Sequence, residues 1–442
     1  MVNFEVCPEQ SRRIALHTFG CRLNQSETAA IENSLAANGF RIVDVKEPAD
    51  VIVINTCTVT ENGDADTRRF VNKINRLNPR ARIALIGCQA QIQKEKLTEL
   101  PNVHWVVGNA RKMELAEILS ATWQRPEPQV IAPTIDRVSF TVPVAGVDRQ
   151  HTRANLKIQD GCDFFCSFCE IPYARGRARS REFDDILKEA RILAESGHRE
   201  LVITGINVGT YNYEGKTLMD VLAALEKIAG LERLRISSIE PTTIPFELIA
   251  RMGRGGKLCR YLHIPLQSGD DAVLHAMKRK YSTGEFLQFI RRAKETVDGL
   301  CIGTDVIVGF PGENESSFER TFNFLLEAPV DYFHVFSYSA RPTAKAKKFD
   351  GQIPAAIIHE RSRRLRELSQ RKRRMFYESL VGNEETVLFE QQKAGEWLGL
   401  TDHYVRVKVR SDDRLGSTMW RVKFLQADRQ AIKGEIIATP SC

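Results

Sequence analysis

The hydrophobic pattern switches repeatedly between two periods. Arg13 to Thr18 predicts a strand, and Gln25 to Asn38 predicts a helix closed by Gly39. Val51 to Asn55, after Asp50, is a continuous apolar run, as expected of a parallel strand covered on both faces. A helix over Asp66 to Leu77, a strand over Ala81 to Ile86 and a helix after Gln89 continue the rhythm. Val103 to Val107 adds a strand, and Ala110 to Leu119 a helix. This alternation predicts an α/β fold, with a doubly wound parallel sheet over residues 1–123.

Residues 124–147 follow Trp123 and read as an extended, proline-rich linker. Within 148–380, strands are predicted over Leu156 to Gln159, Glu200 to Thr204, Arg233 to Ile239, Tyr261 to Pro265, Cys301 to Val308 and Tyr332 to Tyr338. Helical patterns such as Asp184 to Ser196, Leu218 to Ile228 and Glu315 to Glu327 separate them. These units fall short of the eight that close a complete barrel, so an open, partial (βα)6 barrel is expected. Its active face should lie at the carboxyl ends of the strands. From Arg341 to Arg374 the chain is strongly basic, with a partial apolar stripe at Ile358, Leu365 and Leu368 that predicts an amphipathic helix. Residues 381–442 then read as short strands: Glu385 to Phe389, Trp397 to Leu400, Val405 to Val409, Met419 to Phe424 and Ile432 to Ile437. They predict a small OB-like β-barrel.

Composition narrows the class. A hydrophobic fraction of 43% and a charged fraction of 27% are ordinary for a soluble globular chain of 442 residues. No apolar run is long enough for a membrane span and the start lacks a secretory pattern, so a cytoplasmic location is expected. Ten cysteines are too sparse for a disulfide scaffold and suit a reducing compartment with metal sites. The net charge of +7 permits a polyanionic partner without demanding one.

Gly161 to Cys169 reads GCDFFCSFC, which spaces Cys162, Cys166 and Cys169 as C-x3-C-x2-C. Thiols so close in sequence rarely satisfy disulfide geometry, but they can converge on a soft metal centre. Structural zinc takes four protein ligands, and no histidine or fourth cysteine lies near. Three thiolates on a 4Fe-4S cluster leave one iron free to bind something else. Cys21, Cys57 and Cys88 follow the first, second and third predicted strands of the N-terminal sheet. Carboxyl ends of parallel strands open on one side of such a sheet, so three cysteines there would point into one crevice. Buried cysteines also serve as small hydrophobes, but three at equivalent positions favour a shared ligand. Cys7, Cys259, Cys301 and Cys442 match no cluster motif.

The cysteine loop resembles the signature of the radical S-adenosylmethionine (SAM) enzymes. The longer segment IQDGCDFFCSFCEIPYARGRARSR, Ile158 to Arg181, is similar to the methylthiotransferase branch, as are HTFGCRLNQ, NTCTVT and GCQAQ around Cys21, Cys57 and Cys88. The resemblance implies two 4Fe-4S clusters. One, on Cys162, Cys166 and Cys169, would chelate the amino and carboxylate groups of SAM and release a 5′-deoxyadenosyl radical. The other, on Cys21, Cys57 and Cys88, would supply sulfur, and the two open irons would face a shared cavity. It also implies that GINVG, with Gly205 and Asn207, contacts SAM. Glu240 in SSIEP, Gln267 and Ser268 in HIPLQSGDDAVL, and Asp305 in GTDVIVGFPGE would line its pocket. Arg175, with Arg177, Arg179 and Arg181, would clamp a substrate phosphate or the carboxylate of SAM. YSARPTAKA departs from the family's YS-x-R-x-G-T-x-A segment by lacking its glycine.

The terminal barrel is similar in placement to the TRAM domain, an RNA-binding module. Tyr404, Arg406, Lys408 and Arg410 would then offer a stacking and phosphate surface. HTFGCRLNQ, SSIEP and MKRKY look most like the branch that methylthiolates carbon 2 of threonylcarbamoyladenosine beside the tRNA anticodon. The isopentenyladenosine and ribosomal-protein branches are the alternatives. The implied partners are tRNA and an electron donor such as a flavodoxin or ferredoxin; the sequence names no sulfur donor and no oligomeric state. Two readings of other kinds are a non-catalytic, zinc-containing RNA-binding protein and a radical SAM enzyme whose second cluster only transfers electrons.

Overall fold

A computed structural model describes residues 12–58, 61–142 and 152–438. Cys7, Cys442, the last two residues of NTCTVT and the end of the expected linker lie outside the described residues. The chain forms two compact units. One holds the described residues up to 142 with 160–163 and 169–181, and the other holds 152–159, 164–168 and 182–438.

The first unit is a six-stranded sheet of β1 (Arg13–Thr18), β2 (Arg41–Val43), β3 (Val51–Thr56), β4 (Arg82–Gly87), β5 (Val103–Gly108) and β6 (Gln129–Ile131), in the order β2-β1-β3-β4-β5-β6. Every neighbouring pair is parallel. Ile31 and Leu35 of α1 (Arg22–Ala37) and Leu115 and Leu119 of α4 (Leu115–Thr122) pack on one face. Val71 and Ile74 of α2 (Glu61–Leu77) pack on the other, and α3 (Cys88–Gln93) follows β4 directly. Residues of β3 alternate between the two cores, which is why Val51–Thr56 is buried along its whole length. The doubly wound sheet is as expected, with two corrections. Arg41–Val43 and Gln129–Ile131 are additional edge strands, the second within the stretch read as linker, paired with β5 at Trp105↔Gln129 and Val107↔Ile131. Three residues are too few for an alternating pattern to register. The second helix also begins before Asp66, at Glu61, where acidic Glu61 and Asp64 favour a first turn that lacks apolar periodicity.

The second unit contains β7 (Arg153–Lys157), β8 (Glu200–Thr204), β9 (Arg233–Ile236), β10 (Tyr261–His263), β11 (Cys301–Val308) and β12 (Tyr332–Ser337). They form two parallel groups, β9-β8-β7 and β10-β11-β12. A Leu234↔Leu258 bridge and the Ile239 N–H donating to His263 O at 3.2 Å join them. Helices α5 (Phe183–Glu195), α6 (Leu218–Leu225), α7 (Phe246–Gly253), α8 (Asp271–Ala276), α9 (Thr283–Thr296) and α10 (Glu315–Glu327) cover the outside. Leu201, Ile203, Leu234, Leu262, Ile302 and Phe333 face those helices in one core. By strand alternation, Glu200, Arg235, Tyr261, His263, Asp305 and His334 face inward. This is the expected partial (βα)6 barrel. Its inner face is polar.

The basic stretch folds as α11 (Ala355–Ser379), whose Leu365 and Leu368 enter the core. Ser369 fastens it to the last barrel strand: its hydroxyl accepts from Phe333 N–H (2.9 Å) and donates to Phe333 O (2.7 Å). The C-terminal strands β13 (Glu384–Lys393), β14 (Glu396–Leu400), β15 (Arg406–Val409), β16 (Met419–Ala427) and β17 (Ile432–Ala438) close a barrel in the order β13-β14-β15-β17-β16, as expected. It docks against the amino ends of the central strands. Arg233 donates to Leu400 O (3.0 Å) and Thr386 O (2.6 Å), and Arg260 pairs with Asp402 (2.7 Å) and Glu385 (2.9 Å). Tyr404 stacks on Tyr261 with centroids 4.6 Å apart. Tyr404 is therefore turned inward rather than offered as a nucleic-acid platform, while Arg406 and Arg410 remain exposed.

Candidate functional site

In the first unit the three expected cysteines follow three adjacent strands. Thr18 pairs with Asn55, and Thr56 pairs with Gly87, so Cys57 and Cys88 directly follow registered positions on neighbouring strands about 4.8 Å apart. Cys21 caps the amino end of α1 with extended backbone. Gly20 takes φ of +97°, and a Cβ there would lie 2.8 Å from Cys57 Cβ and 3.1 Å from its Sγ. Only glycine lets these two strand ends approach so closely. Asn24 ties the ends together, donating to Phe19 O at 2.8 Å and Thr56 O at 3.1 Å. Cys88 is buried, and its sulfur accepts from Asn109 Nδ2 at 3.4 Å.

Beneath these strand ends lies a buried ionic cluster. Arg175 spans Glu27 (3.0 Å to each carboxylate oxygen) and Asp160 (3.0 Å), and donates to Asn24 Oδ1 at 2.5 Å. Lys112 pairs with the same Glu27 and donates to Asn109 Oδ1 at 2.6 Å. Burial opposes the charge on Arg175, but Cys88, Glu27 and Asp160 outweigh it and hold its pKa well above the ordinary value. The expected phosphate or carboxylate clamp is thereby corrected. Arg175 and Arg181 are fully buried, Arg179 pairs with Asp160, and Arg177 pairs with Asp163. The arginines after the cysteine loop brace the protein itself.

Cys162 and Cys169 also belong to the first unit. Gly161 has φ of +70°, and a Cβ there would collide with Arg177 O, while Cys162 N–H donates to Gly176 O at 3.1 Å. The Cys169 sulfur accepts from Ile171 N–H at 3.4 Å. In the second unit, Ser167 donates through its N–H to Met277 O (3.0 Å) and through its hydroxyl to Ala276 O (2.8 Å), fixing the chain beside Cys166. The Cys166 sulfur accepts from Arg279 Nη1 at 3.3 Å, and Arg279 pairs with Glu240. Burial pushes the Cys166 thiol up, opposed by Arg279.

The expected SAM residues divide. Gln159 Oε1 accepts from Ile206 N–H and Asn207 N–H, both at 2.9 Å, and a Cβ on Gly205 would lie 2.9 Å from that oxygen. Asn207 Oδ1 accepts from Thr243 Oγ1 at 2.9 Å, which leaves its buried Nδ2 without a partner among the described residues. That orphaned donor fits a bound acceptor. Gln267 takes φ of +71° and joins the adjacent strand through backbone bonds with Asp305 and Ile307. Ser268 is fully buried, with its hydroxyl 3.2 Å from Thr321 Oγ1 and accepting from Asp270 N–H, so it organises the start of α8. Asp305 turns to His263 Nε2 at 2.9 Å. Sequence reasoning missed Asn109 and Arg279, the donors to Cys88 and Cys166. MKRKY contains Arg279, but an arginine beside a lysine carries no spacing signal. It also missed the His263, Asp305 and His334 group, whose ligand atoms lie within 4.8 Å of one another.

The donor set fits iron–sulfur chemistry. It offers three thiols that follow adjacent parallel strands, and the sulfurs of Cys88, Cys166 and Cys169 receive N–H bonds of the kind that tune a cluster. Among the described residues, no helix is long and apolar enough to cross a membrane.

Residues 156–325 match the radical SAM superfamily and residues 13–108 match the uncharacterized protein family UPF0004. A threonylcarbamoyladenosine tRNA methylthiotransferase, MtaB, of Aquifex aeolicus is 38% identical over 90% of this chain and 96% of its own. A tRNA-2-methylthio-N(6)-dimethylallyladenosine synthase of Thermodesulfovibrio yellowstonii is 31% identical over 97% of this chain and 100% of its own. Among solved structures, the radical SAM methyltransferase TsrM of Kitasatospora setae matches with a TM-score of 0.54 at 16% identity. That match covers 74% of this chain and 75% of TsrM, and carries the fold alone.

Proposed function

This chain belongs to the radical SAM tRNA methylthiotransferases, and we propose that it methylthiolates carbon 2 of threonylcarbamoyladenosine beside the tRNA anticodon. The family works with SAM and two 4Fe-4S clusters, which supply the radical and sulfur chemistry when bound. We assign one cluster to Cys162, Cys166 and Cys169 and the other to Cys21, Cys57 and Cys88.

The remaining work falls to the chain's own residues. Arg279 donates to the Cys166 sulfur and is itself held by Glu240. Asn109 does the same for Cys88 and is held by Lys112. The side-chain amide Nδ2 of Asn207, without a partner among the described residues, is suited to hold an acceptor group of SAM. A flavodoxin or ferredoxin would deliver electrons, and tRNA would meet the enzyme in the cytoplasm.

The observation that carries the reading is the arrival of Cys21, Cys57 and Cys88 at one end of adjacent parallel strands, apart in sequence from the C-x3-C-x2-C loop. A radical SAM enzyme with a single cluster has no need of it. Nucleoside mass spectrometry of tRNA from cells with and without the gene tests the substrate. Deletion should abolish 2-methylthio-threonylcarbamoyladenosine. Loss of the methylthiolated dimethylallyl nucleoside instead transfers the protein to the other branch.

A further inference from the structure

The inner face of the barrel changes character along its strands. At the amino ends the charges cancel: Glu200 is held by Arg235 at 2.6 Å, with both fully buried. At the next positions they do not. Asp305 pairs in register with His334, and Ile307 with Phe336, on the two last strands. His334 is exposed, its ring nitrogens have no hydrogen-bond partner among the described residues, and Phe336 is 42% exposed. Arg373 of α11 reaches over Tyr332 at 4.7 Å from the ring centroid, and no carboxylate among the described residues pairs with it. Tyr332 in turn lies edge-on to His334 at 5.4 Å. Gly303 makes room for Tyr332, since a Cβ there would lie 2.6 Å from the ring.

Among the described residues, the last strand thus presents an imidazole without a hydrogen-bond partner and an exposed aromatic ring, and α11 adds a guanidinium without a carboxylate partner. Beside them stands a carboxylate fixed by His263 at 2.9 Å. An unpaired cation and an oriented acceptor suit a ligand carrying both an anion and hydrogen-bond donors. The proposed substrate has such an arm: a threonylcarbamoyl group bears a carboxylate, a hydroxyl and ureido N–H groups, whereas a dimethylallyl group bears none. A metal is the weaker reading of the same residues, because the Asp305–His263 bond would have to break for both to face one ion.

We propose that His334 and Arg373 bind the carboxylate of the substrate's amino-acid arm, with Asp305 accepting from its N–H or hydroxyl groups. This rests on the threonylcarbamoyladenosine reading above and adds the residues that set the specificity. Polar groups left unpaired by the wrong arm discriminate strongly, whereas apolar contacts alone do not.

The test uses the reconstituted holoenzyme and three anticodon stem–loops, whose adenosine carries the threonylcarbamoyl arm, its carboxamide analogue or a dimethylallyl arm. Dissociation constants and single-turnover methylthiolation are measured. The wild type should prefer carboxylate to carboxamide by at least about tenfold in affinity. His334→Phe and Arg373→Met should each erode that preference through the carboxylate substrate alone, with carboxamide affinity unchanged. Equal wild-type affinities, variants that weaken both substrates alike, or a preference that needs added zinc each overturn the inference. Methylthiolation of the threonylcarbamoyl loop in those cases leaves the function standing. Methylthiolation of the dimethylallyl loop alone rejects the function itself.

Discussion

Arg175 and Glu27 form a bidentate ion pair, 3.0 Å at each of its two bonds, buried beneath the strand ends that carry Cys57 and Cys88. The partners are far apart in the chain, and each has a second opposite charge: Asp160 for Arg175, Lys112 for Glu27. Such a cluster is stable only while it is complete, because a buried charge that loses its partner keeps its full desolvation cost.

Arg175→Ala should therefore cost about 3 kcal/mol, since it leaves buried Glu27 to Lys112 and Asp160 to Arg179 at 3.3 Å. Thermal unfolding of the purified protein measures it. A loss under about 1 kcal/mol, the scale of an exposed pair, would mean that Arg175 is solvated and available to a phosphate after all.

Arg279→Leu removes an N–H donor from the Cys166 sulfur and a positive charge beside it. If Cys166 holds iron, both losses favour the oxidised cluster, so the reduction potential should fall. An electron paramagnetic resonance titration reads it. An unchanged potential with normal iron content would detach Arg279 from the cluster.

Arg235→Met addresses the docking of the terminal barrel. Arg235 holds Glu200 and donates to Asp402 O (2.7 Å) and Thr401 O (3.0 Å). The variant leaves Glu200 with the more distant Arg233, 3.8 Å away. A loss of about 3 kcal/mol and earlier proteolysis near Thr401 are expected. Wild-type protease resistance would show that the carbonyl bonds are dispensable.

Glu313 gives the stability a pH dependence. Burial pushes its carboxyl up to about 7, outweighing Gly309 N–H and Arg361. The folded chain then binds a proton that the unfolded chain releases near its ordinary 4.5. Between these values the unfolded state binds fewer protons, so stability falls as pH rises, by roughly 3 kcal/mol in all. Denaturant melts from pH 4.5 to 8 should show the decline in wild type and a flatter profile in Glu313→Gln. Identical slopes would mean that Arg361 keeps Glu313 ionised.

The sequence was most legible where one strong period acted alone. Val51–Thr56, Cys301–Val308 and Glu315–Glu327 fall where their apolar patterns predict them. Arg41–Val43 and Gln129–Ile131 were invisible because edge strands this short are defined by their partners. The cysteines announced themselves by spacing and by following strands. Their hydrogen-bond donors did not: Asn109 and Arg279 reach Cys88 and Cys166 from 21 and 113 residues away. The arginine run after the loop misled for a related reason. A row of cations looks the same on paper whether it faces a phosphate or, as for Arg175, a buried Glu27.

The most direct test of two separately anchored clusters is anaerobic iron and sulfide analysis of the reconstituted wild type beside a Cys21→Ala, Cys57→Ala, Cys88→Ala triple variant. Two 4Fe-4S clusters predict about eight irons per wild-type chain and about four in the variant, which should still cleave SAM but attach no methylthio group. Equal iron in the two proteins, or zinc in place of iron, would contradict the account.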